Sequence, residues 1–340
     1  MADPAVAEAP GGVETMTYRE ALRLAMRQEL ERDERVFVMG EEVGLFDGSY
    51  KVTAGLMEQF GPDRVRDTPI SEEGFLGAGV GAAMLGERPI VEIMTLNFLL
   101  VAMDQVVNHA AKIGAMFGGE VRCPLVIRTP NGAGNQLTAQ HSQSFDGWFA
   151  GTPGLKVVSP STPADAKGLL KAAIRDDDPV LVIENLPIYK EKGEVPLDAD
   201  LTTPIGLAAV AREGVDLTLV SHSFATVRAL RVAEKLAAER GVSVEVIDLR
   251  SLRPLDVETV AASVAKTNRA LCVEEGWPTY GVTAEIAARI QHACFGDLDA
   301  PVERLGMAEV PLPYAKELEL AAMPTEDRIE SAVLSCLELA

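Results

Sequence analysis

Short apolar runs alternate with longer amphipathic segments along this chain, and the alternation occurs twice. In the N-terminal half, Val36-Phe37-Val38-Met39, Pro89 to Met94, Pro124-Leu125-Val126-Ile127-Arg128 and Pro179 to Glu184 read as buried strands. Helices are expected at Thr17–Glu31, opened by a Thr17/Glu20 capping box, at Leu100–Phe117 and at Pro163–Arg175. The C-terminal half repeats the pattern, with strands at Leu217–Val220, Val244–Ile247 and Ala270–Val273 and helices at Ala225–Glu239, after Asp256 and at Val282–Ala293. Strands that are apolar throughout must be covered on both faces, which a parallel sheet between layers of helices provides. The expected fold class is therefore α/β, with two doubly wound, mostly parallel-sheet domains. A length of 340 residues also exceeds the usual size of one domain. Between the halves, Leu186 to Ile205 turns to Pro, Lys, Glu and Asp and reads as a linker. The boundaries are thus 14–185, 186–205 and 206–340, preceded by an Ala/Pro/Gly-rich flexible tail over 1–13.

Charge narrows the possible partners. A net charge of −20 argues against nucleic acid, which requires a basic stripe. Residues 296–340 hold ten acidic against three basic side chains, a local net of −7 that suits a basic protein partner as well as simple solvation. No run of 18 apolar residues exists, so no membrane span is expected. The N-terminus lacks the basic start and apolar core of a secretory signal. Cys123, Cys272, Cys294 and Cys336 show neither zinc spacing nor close pairs, which fits reduced thiols in a cytoplasmic location.

The segment Asp67-Thr68-Pro69-Ile70-Ser71-Glu72-Glu73-Gly74-Phe75 places carboxylates at a turn ahead of a small-residue run, Gly77 to Ala83. A carboxylate there is well placed to hold a functional proton. The helix N-terminus favours its charged form, and burial opposes it. Ser71 and Glu72 acting only as a helix cap would use the same residues. Gly77-x-Gly79-x-x-Ala82 matches a dinucleotide fingerprint in form, but it follows a polar turn rather than a strand. The small residues are better explained by close approach to a neighbouring helix. His109, His222 and His292 lack ligand spacing, and Ser142 beside His141 is not a nucleophile elbow.

Several blocks stand in a shared order: Gly40-Glu41-Glu42-Val43, Asp47-Gly48, Asp67 to Phe75, Gln140-His141-Ser142-Gln143, Gly154 to Pro160, Glu274-Glu275-Gly276-Trp277-Pro278 and Pro311 to Ala315. Together they resemble the beta subunit of the first, thiamine-diphosphate-dependent enzyme of 2-oxo acid dehydrogenase complexes, from about Met16 to Ala332. The resemblance implies a transketolase-like pyrimidine-binding domain followed by a transketolase C-terminal-like domain. It implies that Glu72 is the catalytic acid facing the cofactor's pyrimidine. Phe98, Ile70 and Met94 would contact the same ring, and Glu42 would be a pocket-proximal acid. His141 would line the entrance for substrate and the lipoyl group. Potassium would be held by oxygens of Leu125, Ala173, Ile174, Asp176 and Asp178.

The family's magnesium and diphosphate signature, Gly-Asp-Gly followed by an Asn pair, is missing here. The resemblance assigns it to an alpha subunit in an alpha-2/beta-2 heterotetramer. Further implied partners are a lipoyl domain as substrate and an acyltransferase core docked through its subunit-binding domain at the acidic end. Met94-Thr95-Leu96-Asn97-Phe98 looks closer to the pyruvate enzymes than to the branched-chain or acetoin relatives. The expected activity is oxidative decarboxylation of pyruvate with reductive acyl transfer. A non-catalytic docking subunit is the alternative from another class.

Overall fold

The Thr17 hydroxyl accepts the Glu20 backbone N–H at 3.3 Å, and the Glu20 carboxylate accepts that of Thr17 at 2.8 Å, so the capping box opens a helix over Tyr18–Arg32. The computed structural model describes residues 11–339; most of the expected tail lies outside the described residues, and a strand begins at Val13. The chain forms two units. The first comprises residues up to 130 together with 152–184 and 188–205; the second comprises 131–151, 185–187 and 206–340.

The strands of the first unit are β1 (Val13–Thr17), β2 (Val36–Gly40), β3 (Val65–Asp67), β4 (Arg88–Glu92), β5 (Val126–Asn131), β6 (Lys156–Val158), β7 (Val180–Asn185) and β8 (Lys192–Pro196). Six of them form a sheet in the order β6-β7-β5-β4-β2-β3, with β2–β3, β2–β4, β4–β5 and β6–β7 paired in parallel. Helix Glu72–Met84 lies on β4 at close range: a Cβ on Gly79 would sit 2.7 Å from Val91 Cγ2. The small-residue run thus allows close approach both to a strand at Gly79 and to the helical segment at Gln105 from Gly77, and both glycines lie inside a helix rather than in a phosphate-binding turn.

Two local expectations need correction. The helix foreseen over Leu100–Phe117 runs from 103 to 116 with a π segment at Gln105–Ala110 inside it, after a 3₁₀ turn at Leu96–Leu100. At the start of the π segment Gln105 lies against Gly77, where a Cβ would come 3.2 Å from its Oε1. The polar stretch 186–205 is also structured. It holds a 3₁₀ turn at Leu186–Lys190, and β8 pairs antiparallel with β1. The buried ammonium of Lys167 donates to the carbonyls of Pro196 and Asp198, each at 2.6 Å, so a solvated-looking sequence is pinned from beneath.

In the second unit the strands are β9 (Ala209–Arg212), β10 (Leu217–Ser221), β11 (Val244–Asp248), β12 (Ser251–Arg253), β13 (Ala270–Val273) and β14 (Glu303–Leu305). Its five-stranded sheet has the order β14-β13-β10-β11-β9, parallel except for the β11–β9 edge. Helices Ser223–Arg240 and Glu326–Cys336 cover one face with Ala225, Val232, Leu236, Ile329 and Val333. Among the described residues no helix is long and apolar enough to cross a membrane.

Candidate active site

An open parallel sheet presents its ligand crevice at the C-terminal ends of the strands, where connections from neighbouring strands depart in opposite directions. In the first unit that place lies between β2 and β4. The chain leaving β2 leads to β3 on one side, and the chain leaving β4 leads to β5 on the other. Gly40 is level with both Asp67 and Glu92 in the strand register. A side chain at Gly40 would bring a Cβ 2.7 Å from the Glu92 carbonyl, so only glycine fits. Asp67 fastens the chain leaving β2 by accepting the N–H groups of Gly44 at 2.6 Å and Leu45 at 3.0 Å.

Carboxyls gather at this mouth. Glu72, the first residue of helix Glu72–Met84, is buried, whereas Glu73 is exposed. Glu41, directly after β2, is buried too, and its Oε1 has no hydrogen-bond partner among the described residues. Burial, and then the nearby carboxylates of Glu72, Glu42 and Glu92, push the Glu41 carboxyl above its ordinary range. The sequence reading chose the neighbouring Glu42, but that residue takes a left-handed backbone (φ 58°) and is exposed. Glu41 is thus the buried member of this pair of acids. Two adjacent glutamates are indistinguishable until the turn after β2 decides which one points inward.

Of the remaining positions, Met94 and Phe98 follow β4 and are half-buried, while Ile70 is 84% exposed in this chain. Beneath the mouth, Arg128 is fully buried and grips Glu184 through two bonds of 2.7 and 2.6 Å. It also pairs with Glu92, and Tyr189 donates its hydroxyl to Glu184. Burial pulls the guanidinium down, but Glu184 and Glu92 outweigh that and hold it above its usual range. Sequence reading did not single out Arg128, Glu92 or Glu184, since each stands alone within an apolar strand.

The oxygens expected to hold potassium are already engaged. Arg88 donates to the carbonyls of Ile174 at 3.0 Å and Asp176 at 2.9 Å, and Lys156 lies 2.7 Å from the Asp176 carboxylate and 3.2 Å from that of Asp178. The carbonyls of Leu125 and Ala173 accept the N–H groups of Val180 and Asp176. Arg88 and Lys156 thus bond several of the oxygens expected to hold potassium. Among the described residues no cluster of three or more His, Cys, Asp or Glu side chains is arranged for a metal.

His141 belongs to the second unit. It ends a short helix, Thr138–His141, and is half-buried. The same unit contains a cavity of about 650 Å³ between Gly147–Gly151, Leu252–Leu255 and Tyr280–Arg289. Its charged side chains are engaged with protein groups, Glu285 with Arg289 at 2.7 Å and Arg253 with the Ala150 carbonyl at 2.9 Å. The converging acids are in the first unit instead.

The buried carboxyls of Glu41 and Glu72 at a β2/β4 crevice suit a nitrogen heterocycle. Glu41 Oε1, buried and unpaired, is the specific feature that fits the aminopyrimidine of thiamine diphosphate. These features belong to a transketolase-type fold. Residues 14–191 match the pyrimidine-binding domain of transketolase, and residues 206–329 match the transketolase C-terminal domain. A split-gene transketolase, solved as an inactive beta4 tetramer, superposes with a TM-score of 0.75 over 95% of this chain and 99% of its own; at 21% identity it speaks to the fold alone.

Closer relatives identify the branch. The chain is 51% identical over 96% of its length to the Arabidopsis thaliana pyruvate dehydrogenase E1 component subunit beta-1, covering 90% of that protein. It is 51% identical to the Rhizobium meliloti E1 subunit beta over 97% of this chain and 72% of that one. With the Bos taurus mitochondrial subunit the identity is 50%, over 95% and 91%. The chain belongs to the pyruvate dehydrogenase E1 beta-subunit family.

Proposed function

We propose that this chain is the beta subunit of a thiamine-diphosphate-dependent pyruvate dehydrogenase and works with an alpha subunit in an alpha-2/beta-2 assembly. The observation that carries the reading is the buried pair Glu72 and Glu41 at the β2/β4 mouth, in a chain about half identical to E1 beta subunits. When bound, thiamine diphosphate supplies the carbon nucleophile and electron sink for decarboxylating a 2-oxo acid. Glu72 would hold a proton at the pyrimidine ring nitrogen, and Glu41 would keep that side of the pocket acidic. Phe98 and Met94 would flank the ring and exclude water. Ile70 would join them only when another chain covers it. His141 would line the entrance for the lipoyl domain.

The acidity supports a divided site. Arg128 is already paired with Glu184 and Glu92, and an anionic diphosphate gains nothing from the acids Glu41 and Glu72 at the mouth. Magnesium and the diphosphate therefore fall to the alpha subunit, in line with the missing Gly-Asp-Gly signature. The acidic end would dock the acyltransferase core. The four free cysteines suit a reducing, cytoplasmic-type compartment.

The test is reconstitution with the alpha subunit, thiamine diphosphate, magnesium and an artificial electron acceptor, comparing pyruvate with branched-chain 2-oxo acids and acetoin. Pyruvate should be strongly preferred, and Glu72→Gln should lower kcat by about a hundredfold or more with assembly intact. Branched-chain preference would change the substrate. Full activity of the variant would leave only a docking role.

A further inference from the structure

The loop that carries His141 is held by side chains from far along the sequence. At its base, Asn131 Oδ1 accepts from Gly132 N at 2.5 Å and Ser144 Oγ at 2.9 Å, and Asn131 Nδ2 donates to Asp146 Oδ2 at 2.7 Å. One side chain thus closes the loop's two ends. The middle of the loop is held by Glu319, which lies on the short helix Lys316–Ala322 and is 1% exposed. Its carboxylate accepts the backbone N–H of Gly134 at 3.0 Å and that of Gln136 at 3.2 and 3.1 Å. The Gln136 side chain reaches the Tyr314 carbonyl at 3.5 Å. Ala133 packs into a small apolar cluster with Leu312, Ala322 and Met323.

The backbone here needs that support. Gln136 and Thr138 take left-handed conformations, φ 56° and 68°, that side chains other than glycine disfavour. Strained residues of this kind persist only where their surroundings over-determine them. A buried carboxylate accepting two backbone N–H groups of one loop is a strong restraint, because charge-assisted bonds exceed neutral ones. Glu319 is one of the acidic residues that made the C-terminal region look like a docking surface. Its burial removes it from any such surface, unlike the exposed Glu317 on the same helix.

We infer that Glu319 is a positioning residue for His141: it makes the loop's conformation depend on the C-terminal segment, and acyl transfer to the lipoyl domain depends on Glu319 more than decarboxylation does. The inference rests on the proposed function for its kinetic readout but not for its structural one.

The experiment uses the complex reconstituted with the alpha subunit and compares Glu319→Gln, Glu319→Ala and the control Glu317→Gln. One assay measures reductive acetylation of a free lipoyl domain, the second pyruvate oxidation by an artificial acceptor, and the third limited proteolysis within 132–141. Loss of a charged acceptor for two buried N–H groups should lower kcat/KM for the lipoyl domain by about tenfold or more in Glu319→Ala. The artificial-acceptor rate should stay within about twofold, and cleavage in the loop should accelerate. Glu319→Gln, which keeps an accepting oxygen, should fall between wild type and Glu319→Ala and covers the case in which the alanine variant does not assemble. Glu317→Gln should match wild type. Equal losses in both kinetic assays, or unchanged loop protection, would overturn the inference. A wild-type complex that never acetylates the lipoyl domain would refute the proposed function instead, and loop proteolysis would still decide the role of Glu319.

Discussion

Replacing Asp146 by Asn should change how stability depends on pH, by an amount the structure sets. Asp146 is buried, one oxygen accepts from Asn131, and the other has no partner among the described residues. Burial raises its carboxyl from 3.8 to about 6, against the opposing hydrogen bonds from its own backbone and Asn131. Between those values the folded protein keeps a proton that the unfolded chain has released. Stability therefore falls as pH rises through about 4 to 6, and the full penalty remains above. Two pKa units correspond to about 3 kcal/mol. His222 works in the opposite sense: burial, partly offset by Glu274, lowers it to about 4, so its contribution is lost as pH falls from about 6.5 through 4. The two slopes oppose each other in the wild type, and Asp146→Asn leaves that of His222 exposed. Trp148 and Trp277, the two tryptophans, both lie in the second unit, so urea unfolding followed by their fluorescence reports on that unit. The stability difference between variant and wild type should grow by about 3 kcal/mol from pH 4 to pH 7 in favour of the variant. A difference independent of pH would refute the argument.

Arg128→Met should destabilise the first unit by about 3–5 kcal/mol, since it leaves Glu92 and Glu184 buried without a cation. Thermal unfolding measures this, and a shift near zero would mean that the acids simply take up protons. Gly79→Val should cost about 1–3 kcal/mol, because its Cβ alone would meet Val91 at 2.7 Å; Gly81→Val, where nothing lies within 4 Å, isolates the propensity contribution. Chelation of magnesium should release thiamine diphosphate from the reconstituted complex, and the isolated chain should bind the cofactor weakly with or without the ion. Tight magnesium-dependent binding by the chain alone, measured by calorimetry, would contradict the divided site.

What could be read from the sequence depended on whether a signal was periodic and local. The apolar strands and the Thr17/Glu20 box announce themselves within a few residues, and so both parallel sheets were legible. The helix start at Glu72 was also legible after its Pro-containing turn, whereas the role given to that carboxyl came from the family resemblance alone. Glu41 was not legible, since its identity as the inward acid depends on the positive φ of Glu42, which no residue type at that position requires. The donors that meet the expected potassium oxygens were hidden for a related reason. Carbonyls carry no sequence signature, and nothing near Ile174 announces that Arg88, about ninety residues earlier, donates to them. The π segment at Gln105–Ala110 has no local signature either, and its neighbour Gly77 is about thirty residues away in sequence, a tertiary contact that helix propensity cannot register.

The acidic C-terminus is the most instructive case, because a charge count treats all carboxylates alike. Ten acids over 296–340 suggest a solvated face, yet Glu319 is buried against the backbone of the His141 loop while Glu317, two residues away, is exposed. Helical geometry separates them by about 200°, so one helix can offer acid to a partner on one side and hold a loop of its own unit on the other. Composition therefore bounded the kind of partner. The assignment of individual acids had to wait for the face on which each one lies.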